Sequence, residues 1–336
     1  MVNVLGNLKT REEVLQEIRE NQEVYAIFQD MRLEFQNQFV EFCMGVRGVK
    51  MTYDPFFLHI FNAEEHPERL SALLSQILGQ KVKVKRVLPR EHERITEKGS
   101  LLILDIVVEL ENGEIADVEI QKVGYRFPGQ RASCYSSDMV MRQYERVKNK
   151  MGEKFTYKAL KKVYTIVFME QSSKEIKQHP EHYIHRGKWK FETGLELELL
   201  QEYYFVALDI FKRIADNKEK GAKMSELEAW LYFLGSDRPA DIQKVIAAHP
   251  KFEEMYQEIV RFRQHPEEAI QMFSEALKIL DENTVKYMIE EMQQDMEEKD
   301  KELEEKDKEL EKKNRELEEK DKEIERLKKQ LAKPNL

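Results

Sequence analysis

Residues 101–123 read LLILDIVVELENGEIADVEIQKV, two alternating runs joined by a turn. Leu102, Leu104, Ile106, Val108 and Leu110 alternate with Ile103, Asp105, Val107 and Glu109; Ala116, Val118 and Ile120 alternate with Ile115, Asp117, Glu119 and Gln121. A period of two is that of a β-strand, so each run has one oily face and one mixed face. The turn Glu111-Asn112-Gly113 admits a two-residue Asn-Gly loop or a three-residue loop with glycine in the left-handed position. The shorter loop sets Asp105 opposite Ile120 and throws the two oily rows onto opposite sides, because a one-residue slip turns every side chain over. The longer loop pairs Asp105 with Glu119, Ile103 with Gln121 and Ile106 with Val118. Only that register buries one face and exposes the other, and it is the one expected.

Two carboxylates directly across a ladder stand roughly 5 Å apart at Cβ and repel unless positive charge lies between them. Magnesium or manganese suits such donors, since a hard divalent cation usually takes one or two protein carboxylates plus waters and substrate phosphate. Asp105 and Glu119 are therefore candidate metal ligands. Gln121, two residues on and on the same face, is a candidate to orient an attacking water or a phosphate oxygen, without the charge of a lysine. Taken alone, the same residues also describe an ordinary polar sheet face turned to solvent.

The flanks add a helix at roughly 64–78, a basic-apolar strand at 81–88, a helix at about 130–149 and a strand at 161–170. Lys81, Lys83 and Lys85 suit a sheet edge protected by charge. The order α-β-β-β-α-β resembles the core of the PD-(D/E)XK nucleases, with Asp105 as the motif's aspartate and Glu119-Ile120-Gln121 as its Glu-x-Lys. The segment YDPFFLHIF at 53–61, the run from Lys98 to Asp105, Val118 to Gln121, and the pair Arg131 and Tyr135 are similar to the PD-(D/E)XK nuclease family transposases, or recombination-promoting nucleases. The resemblance covers approximately residues 50–170. Gln121 stands where the wider superfamily has lysine, a replacement common in the transposase-like branch.

The resemblance implies an α/β protein with a restriction-endonuclease-like core and flanking helices, to which the heptad-spaced tail adds a long charged C-terminal helix. It also implies a magnesium- or manganese-dependent DNA endonuclease, with catalytic Asp105, Glu119 and Gln121 and with Asp105 and Glu119 holding the metal. Lys98 is an auxiliary candidate for holding phosphate, or a solvated loop lysine. Asp54, beside Pro55, is an auxiliary ligand or a helix N-cap, and the cap is the expectation. Arg131 and Tyr135, one helical turn apart, face the site or brace the helix. Glu64, Glu65 and Glu68 offer a further carboxylate among which the sequence does not choose. A catalytically silent nuclease fold that binds nucleic acid or protein is the alternative, and an RNA-directed nuclease shares the same chemistry.

The formal net charge of −9 is unlike that of a dedicated nucleic-acid binder. Residues 142–162 nevertheless carry eight basic residues (Arg142, Arg146, Lys148, Lys150, Lys154, Lys158, Lys161, Lys162) against Glu145 and Glu153, a balance of 8 − 2 = +6. This strip is either a phosphate-contacting surface or a solvated helix face. The two cysteines, Cys43 and Cys134, are too few for a disulfide framework; in helical patterns both are expected buried, in a reducing, cytoplasmic setting. No run of about 18 apolar residues suggests a membrane span. The histidines at 179, 182 and 185 are expected on a surface loop and strand rather than at a metal.

The expected domains are an N-terminal helical extension at 1–50, a nuclease-like domain at 51–215, a helical region at 216–293 and a heptad helix at 294–331. Thr10 with Glu13 and Ser225 with Glu228 are capping boxes, and Pro266-Glu267-Glu268 opens a short helix. Val14, Ile18, Tyr25, Phe28, Phe35, Phe39 and Phe42 recur at helical spacing. Trp230, Tyr232 and Phe233 suggest core. In the tail, Met296, Leu303, Leu310, Leu317, Ile324 and Leu331 recur every seven residues, but the partner positions hold Asp300, Asp307, Asn314 and Asp321 or Lys306, Lys313 and Lys320. Either a weak coiled coil joining two copies or a single helix held by Glu–Lys pairs fits this pattern. With 13 basic and 17 acidic residues over 291–336 the tail carries −4 and is not the part that grips DNA.

Overall fold

The computed structural model describes residues 8–89, 105–122, 128–218 and 222–331, which fall into two compact units, 1–284 and 285–336. In the first unit the chain opens with α1 (Arg11–Glu20), α2 (Gln22–Asp30) and α3 (Leu33–Met44), followed by α4 (Asp54–Ile60) and α5 (Pro67–Leu78). Strands β1 (Val84–Val87), β2 (Ile106–Leu110) and β3 (Ile115–Gln121) precede α6 (Pro128–Met151) and β4 (Val163–Met169). Then come α7 (Lys174–Lys177), β5 (Ile184–Gly187), β6 (Gln201–Ala207) and α8 (Leu208–Asp216). The helices α9 (Glu226–Gly235), α10 (Pro239–Ala248), α11 (Phe252–Gln264) and α12 (Pro266–Leu331) complete the chain.

The six strands form one mixed sheet in the order β1-β2-β3-β4-β6-β5. The pairs β1–β2, β2–β3 and β5–β6 are antiparallel, and β3–β4 and β4–β6 are parallel. From α5 to β4 the order is helix, three strands, helix, strand, with β1 at a sheet edge as its lysines suggested. The hairpin takes the three-residue loop: Gly113 has φ +85°, its N–H donates to Leu110 O at 2.9 Å, and Leu110 N–H donates to Glu114 O at 2.8 Å. Ile106 pairs with Val118, as the alternation required, while the expected partnership of Ile103 with Gln121 lies outside the described residues.

The mixed face is not open to solvent as the sequence suggested. All of β2 and nearly all of β3 are buried, because α6 packs across β3 and β4. Val107, Ile115, Val163 and Met139 form one apolar cluster on that side, and Ala132, Val167, Met169, Ala207 and Ile210 form another. The opposite face, carrying Ile106, Val108, Ala116, Val118, Ile166 and Phe168, shares a large core with α4, α5 and α9. Helix α6 ends at Gly152, whose φ of +53° is costly for a residue with a Cβ, after basic Lys148 and Lys150 in its last turn.

The N-terminal helices join the same core. Both expected capping boxes form, at Thr10–Glu13 and Ser225–Glu228, each contributing about 1 kcal/mol. Phe39 and Phe42 meet Phe273 of α12 at ring separations of 5.4 and 5.1 Å, and Trp230 and Phe233 are fully buried. Cys43 is buried as expected, but Cys134 is exposed, because it lies on the side of α6 away from the sheet. Pro266 opens not a short helix but the 66-residue α12. In the second unit the heptad residues Met296, Leu303, Leu310, Leu317 and Ile324 are exposed, and Glu309–Lys313 and Glu311–Arg315 pair at 2.7 and 3.7 Å. Among the described residues no helix is long and apolar enough to cross a membrane.

Candidate active site

The hairpin gathers three carboxylates at its open end, away from the turn. Asp105 directly precedes β2 and Glu119 lies near the end of β3, opposite one another by the ladder that pairs Ile106 with Val118. Two bonds fix them reciprocally. The Asp105 N–H donates to Glu119 Oε1 at 3.2 Å, and the Ile120 N–H donates to Asp105 Oδ2 at 2.6 Å. Each carboxylate is thus oriented by the main chain of the other strand, an arrangement available only in the three-residue-loop register.

Asp117, two residues before Glu119 on the same face, is the member the sequence reading passed over. It is fully buried, and its carboxyl oxygens meet no donor other than the Glu119 carboxyl. Burial pushes its pKa up to about 8; the nearby Asp105 charge adds to the rise, and Arg142 offsets part of it. Glu119 is also raised well above the usual carboxylate range, by burial first and then by the charges of Asp117 and Asp105. Two ionised carboxylates have no proton between them, so Asp117 and Glu119 bond to each other only when one is protonated. Among the described residues neither enters an ion pair.

Helix α6 supplies the roof. Arg131 Nη2 donates to the Tyr135 hydroxyl at 3.3 Å. The Tyr135 pKa is raised by burial, then by the charge of Glu119 and more weakly by Asp105, with Arg131 opposing. The Arg131–Tyr135 pair therefore stands within electrostatic reach of the carboxylates. Gln121 is buried at the end of β3, where its carbonyl accepts from the Glu170 N–H at 2.7 Å, and strand alternation puts its amide on the face of Glu119. The following Lys122 is buried with its ammonium 5.3 Å from the Tyr53 ring centroid.

Other candidates separate from this group. Lys98 and the side chain of Asp54 lie outside the described residues. Asp54 is the first residue of α4, and the N-cap position falls on Tyr53, one residue before the expected place, because Pro55 is accommodated in the first turn. Glu64, Glu65 and Glu68 are exposed, and Glu68 pairs with His66 at 3.3 Å. The basic strip divides. Arg142 pairs with Asp138 at 2.7 Å, Arg146 with Glu109 at 3.2 Å and Lys162 with Glu202 at 2.7 Å, whereas Lys150, Lys154, Lys158 and Lys161 are exposed.

Among the described residues no group of three or more His, Cys, Asp or Glu side chains is arranged to hold a metal by itself. The donor set nevertheless fits a hard divalent cation bound through a protein pair, with the remaining positions left to water and phosphate. The oxygens are hard, Asp117 and Glu119 are buried and Asp105 half-buried, and burial first, then like charge, raises the pKa values of Asp117 and Glu119.

Comparison with known families matches residues 51–288, 238 of 336, to the PD-(D/E)XK nuclease family transposase. The chain belongs to this family. The match runs past the sheet and through α9, α10 and α11, well beyond the stretch in which the sequence resemblance was legible. No curated protein and no solved structure matches the chain.

Proposed function

We propose that this protein is a divalent-metal-dependent DNA endonuclease that hydrolyses phosphodiester bonds in the recombination or transposition of mobile DNA. The observation that carries the reading is the reciprocal clasp of Asp105 and Glu119 beside Asp117, a buried carboxyl that no cation or N–H meets among the described residues. In this reading α5, β1, β2, β3, α6 and β4 are the restriction-endonuclease-like core. Asp105 and Glu119 hold the metal, magnesium or manganese, which when bound would acidify a water and polarise the scissile phosphate.

The chain's own residues do the rest. Gln121, fixed at the end of β3, orients the attacking water through its amide oxygen or a phosphate oxygen through its N–H. Being neutral it adds no charge, so stabilisation of the pentacovalent phosphate's extra charge falls to the Arg131 guanidinium, held by Tyr135. Asp117, protonated near neutral pH while the site is empty, would give up its proton as a cation binds and then add negative charge beneath the pair. The Asp105 and Glu119 orientations need no reorganisation during reaction, because backbone N–H groups hold both. The exposed heptad residues of α12 pair two copies of the chain, which suits an enzyme that must cut two strands; light scattering with Leu310→Lys reads this out as a loss of dimer.

The test is nicking of supercoiled plasmid by purified protein with magnesium or manganese, beside Asp105→Ala and Glu119→Gln prepared identically. Metal-dependent nicking lost in both variants is the expected result. Nicking that survives in both sinks the assignment, and absence of nicking with every metal returns the weight to a silent binding module.

A further inference from the structure

At the far end of α6 three aromatic rings meet at the surface. Tyr144 and Tyr157 lie nearly parallel, 16° apart in plane with centroids 6.3 Å apart, and Phe155 stands edge-on to them at 5.4 and 5.3 Å. Tyr157 is 74% exposed. A ring kept only to close the segment after α6 onto the helix would bury itself, and this one leaves most of its area in water.

The surroundings are basic. Lys148 places its ammonium 5.1 Å from the Tyr144 ring centroid and donates to its hydroxyl at 2.9 Å. Lys150, Lys154 and Lys158 are exposed and enter no ion pair among the described residues, unlike Arg142, Arg146 and Lys162, which the fold uses internally. Exposed ring surface in the same 144–158 stretch as exposed, uncommitted lysines matches a planar base on a charged backbone. Duplex DNA hides its base faces by stacking, so only unpaired nucleotides can use the rings.

We infer that Tyr144, Phe155 and Tyr157, with Lys150, Lys154 and Lys158, form a stacking platform that anchors single-stranded DNA outside the hairpin site. Tyr144 follows Tyr135 by 144 − 135 = 9 residues, two and a half turns, so the two project from opposite faces of α6. The platform is therefore an anchor and takes no part in the chemistry. The choice of DNA as the polymer rests on the nuclease reading; the surface does not share residues with the hairpin.

The test is fluorescence anisotropy of labelled oligothymidine and of a matched hairpin duplex, using the full chain in EDTA so that nothing is cut. The expected result is single-strand binding at least about tenfold tighter than duplex binding. Tyr157→Ala should lose about tenfold for the single strand with less than about twofold change for the duplex, and Tyr157→Phe should retain it. Lys154→Ala with Lys158→Ala should lower the salt slope by roughly 1.4, at about 0.7 per phosphate contact. Unchanged melting of Tyr157→Ala keeps a folding defect out of the comparison.

Equal binding by Tyr157→Ala and wild type overturns the proposal. So does an equal loss for single strand and duplex, no single-strand binding by wild type, or displacement by poly-aspartate as effective as by oligothymidine. Plasmid nicking that fails while the Tyr157-dependent binding persists would sink the nuclease reading and leave the platform standing.

Discussion

The β2–β3 hairpin carries buried carboxylates at both ends of one face, and the fold treats them oppositely. At the turn end, burial raises Glu109, but hydrogen bonds from Arg86 and Lys85 and the charge of Arg146 outweigh it and hold the pKa below the usual value. Those contacts are short, 2.7 Å from Arg86, 2.9 Å from Lys85 and 3.2 Å from Arg146. At the open end, Asp117 and Glu119 are raised, because burial and like charge prevail. A fold able to bring three cations to one carboxylate has brought none to the other group, and on the proposed function that difference separates a structural ion cluster from a site for an external cation. The sharpest way to break the comparison is activity. Glu119→Gln should lower metal-dependent cleavage at least about a hundredfold, some 2.7 kcal/mol of barrier, while Glu109→Gln should stay within about threefold. Equal losses in two folded variants would erase the distinction between the ends.

Stability should move in opposite directions at the two ends. Glu109→Gln removes the charge that three cations share and should cost about 1–3 kcal/mol in denaturant unfolding. Asp117→Asn removes a buried carboxylate that no cation meets among the described residues and should raise the metal-free melting temperature at pH 8 by about 2–4 °C, the shift of roughly 1 kcal/mol in a chain of this size. A destabilised Asp117→Asn would mean that the carboxyl is satisfied by a bond the protein already makes, and the open end would then resemble the turn end.

Much of this contrast was legible in the sequence. Strict alternation on both strands and a Gly in the turn left one register that kept the oily rows together, and with it came the juxtaposition of Asp105 and Glu119. Alternation reports only a difference between faces, however. Val107 and Ile115 on the mixed face, and the run Val163–Met169, apolar but for Thr165, were the signals that a helix covers that face, since a strand buried on both sides loses its period. The role of Asp117 followed from that missed cover, because an aspartate on an open face is solvated and unremarked. The basic strip was left open between two readings for a related reason: a count of charges shows neither Asp138 one turn back nor Glu109 and Glu202 on other elements, which take up part of it. Cys134, one residue in a helix, carried no sign of which side it takes.

The two ends should also respond to pH with opposite signs. Glu109, depressed in the folded state, contributes stability that is complete above its unfolded value near 4.5 and is lost as pH falls through its lower folded value. Asp117 and Glu119, raised in the folded state, make the native protein bind more protons than the unfolded chain between about pH 4 and about pH 8, so metal-free stability falls as pH rises through that window. A divalent cation competes with those same protons and should bind more tightly as they leave. Magnesium or manganese at about ten times its Kd adds about 1.4 kcal/mol, so the melting shift on adding metal should be about 3–5 °C at pH 8 and smaller at pH 6. Asp105→Ala should abolish the shift and Glu109→Gln should keep it. A shift that is the same at both pH values, or one that survives in Asp105→Ala, would place the cation somewhere other than the open end of the hairpin.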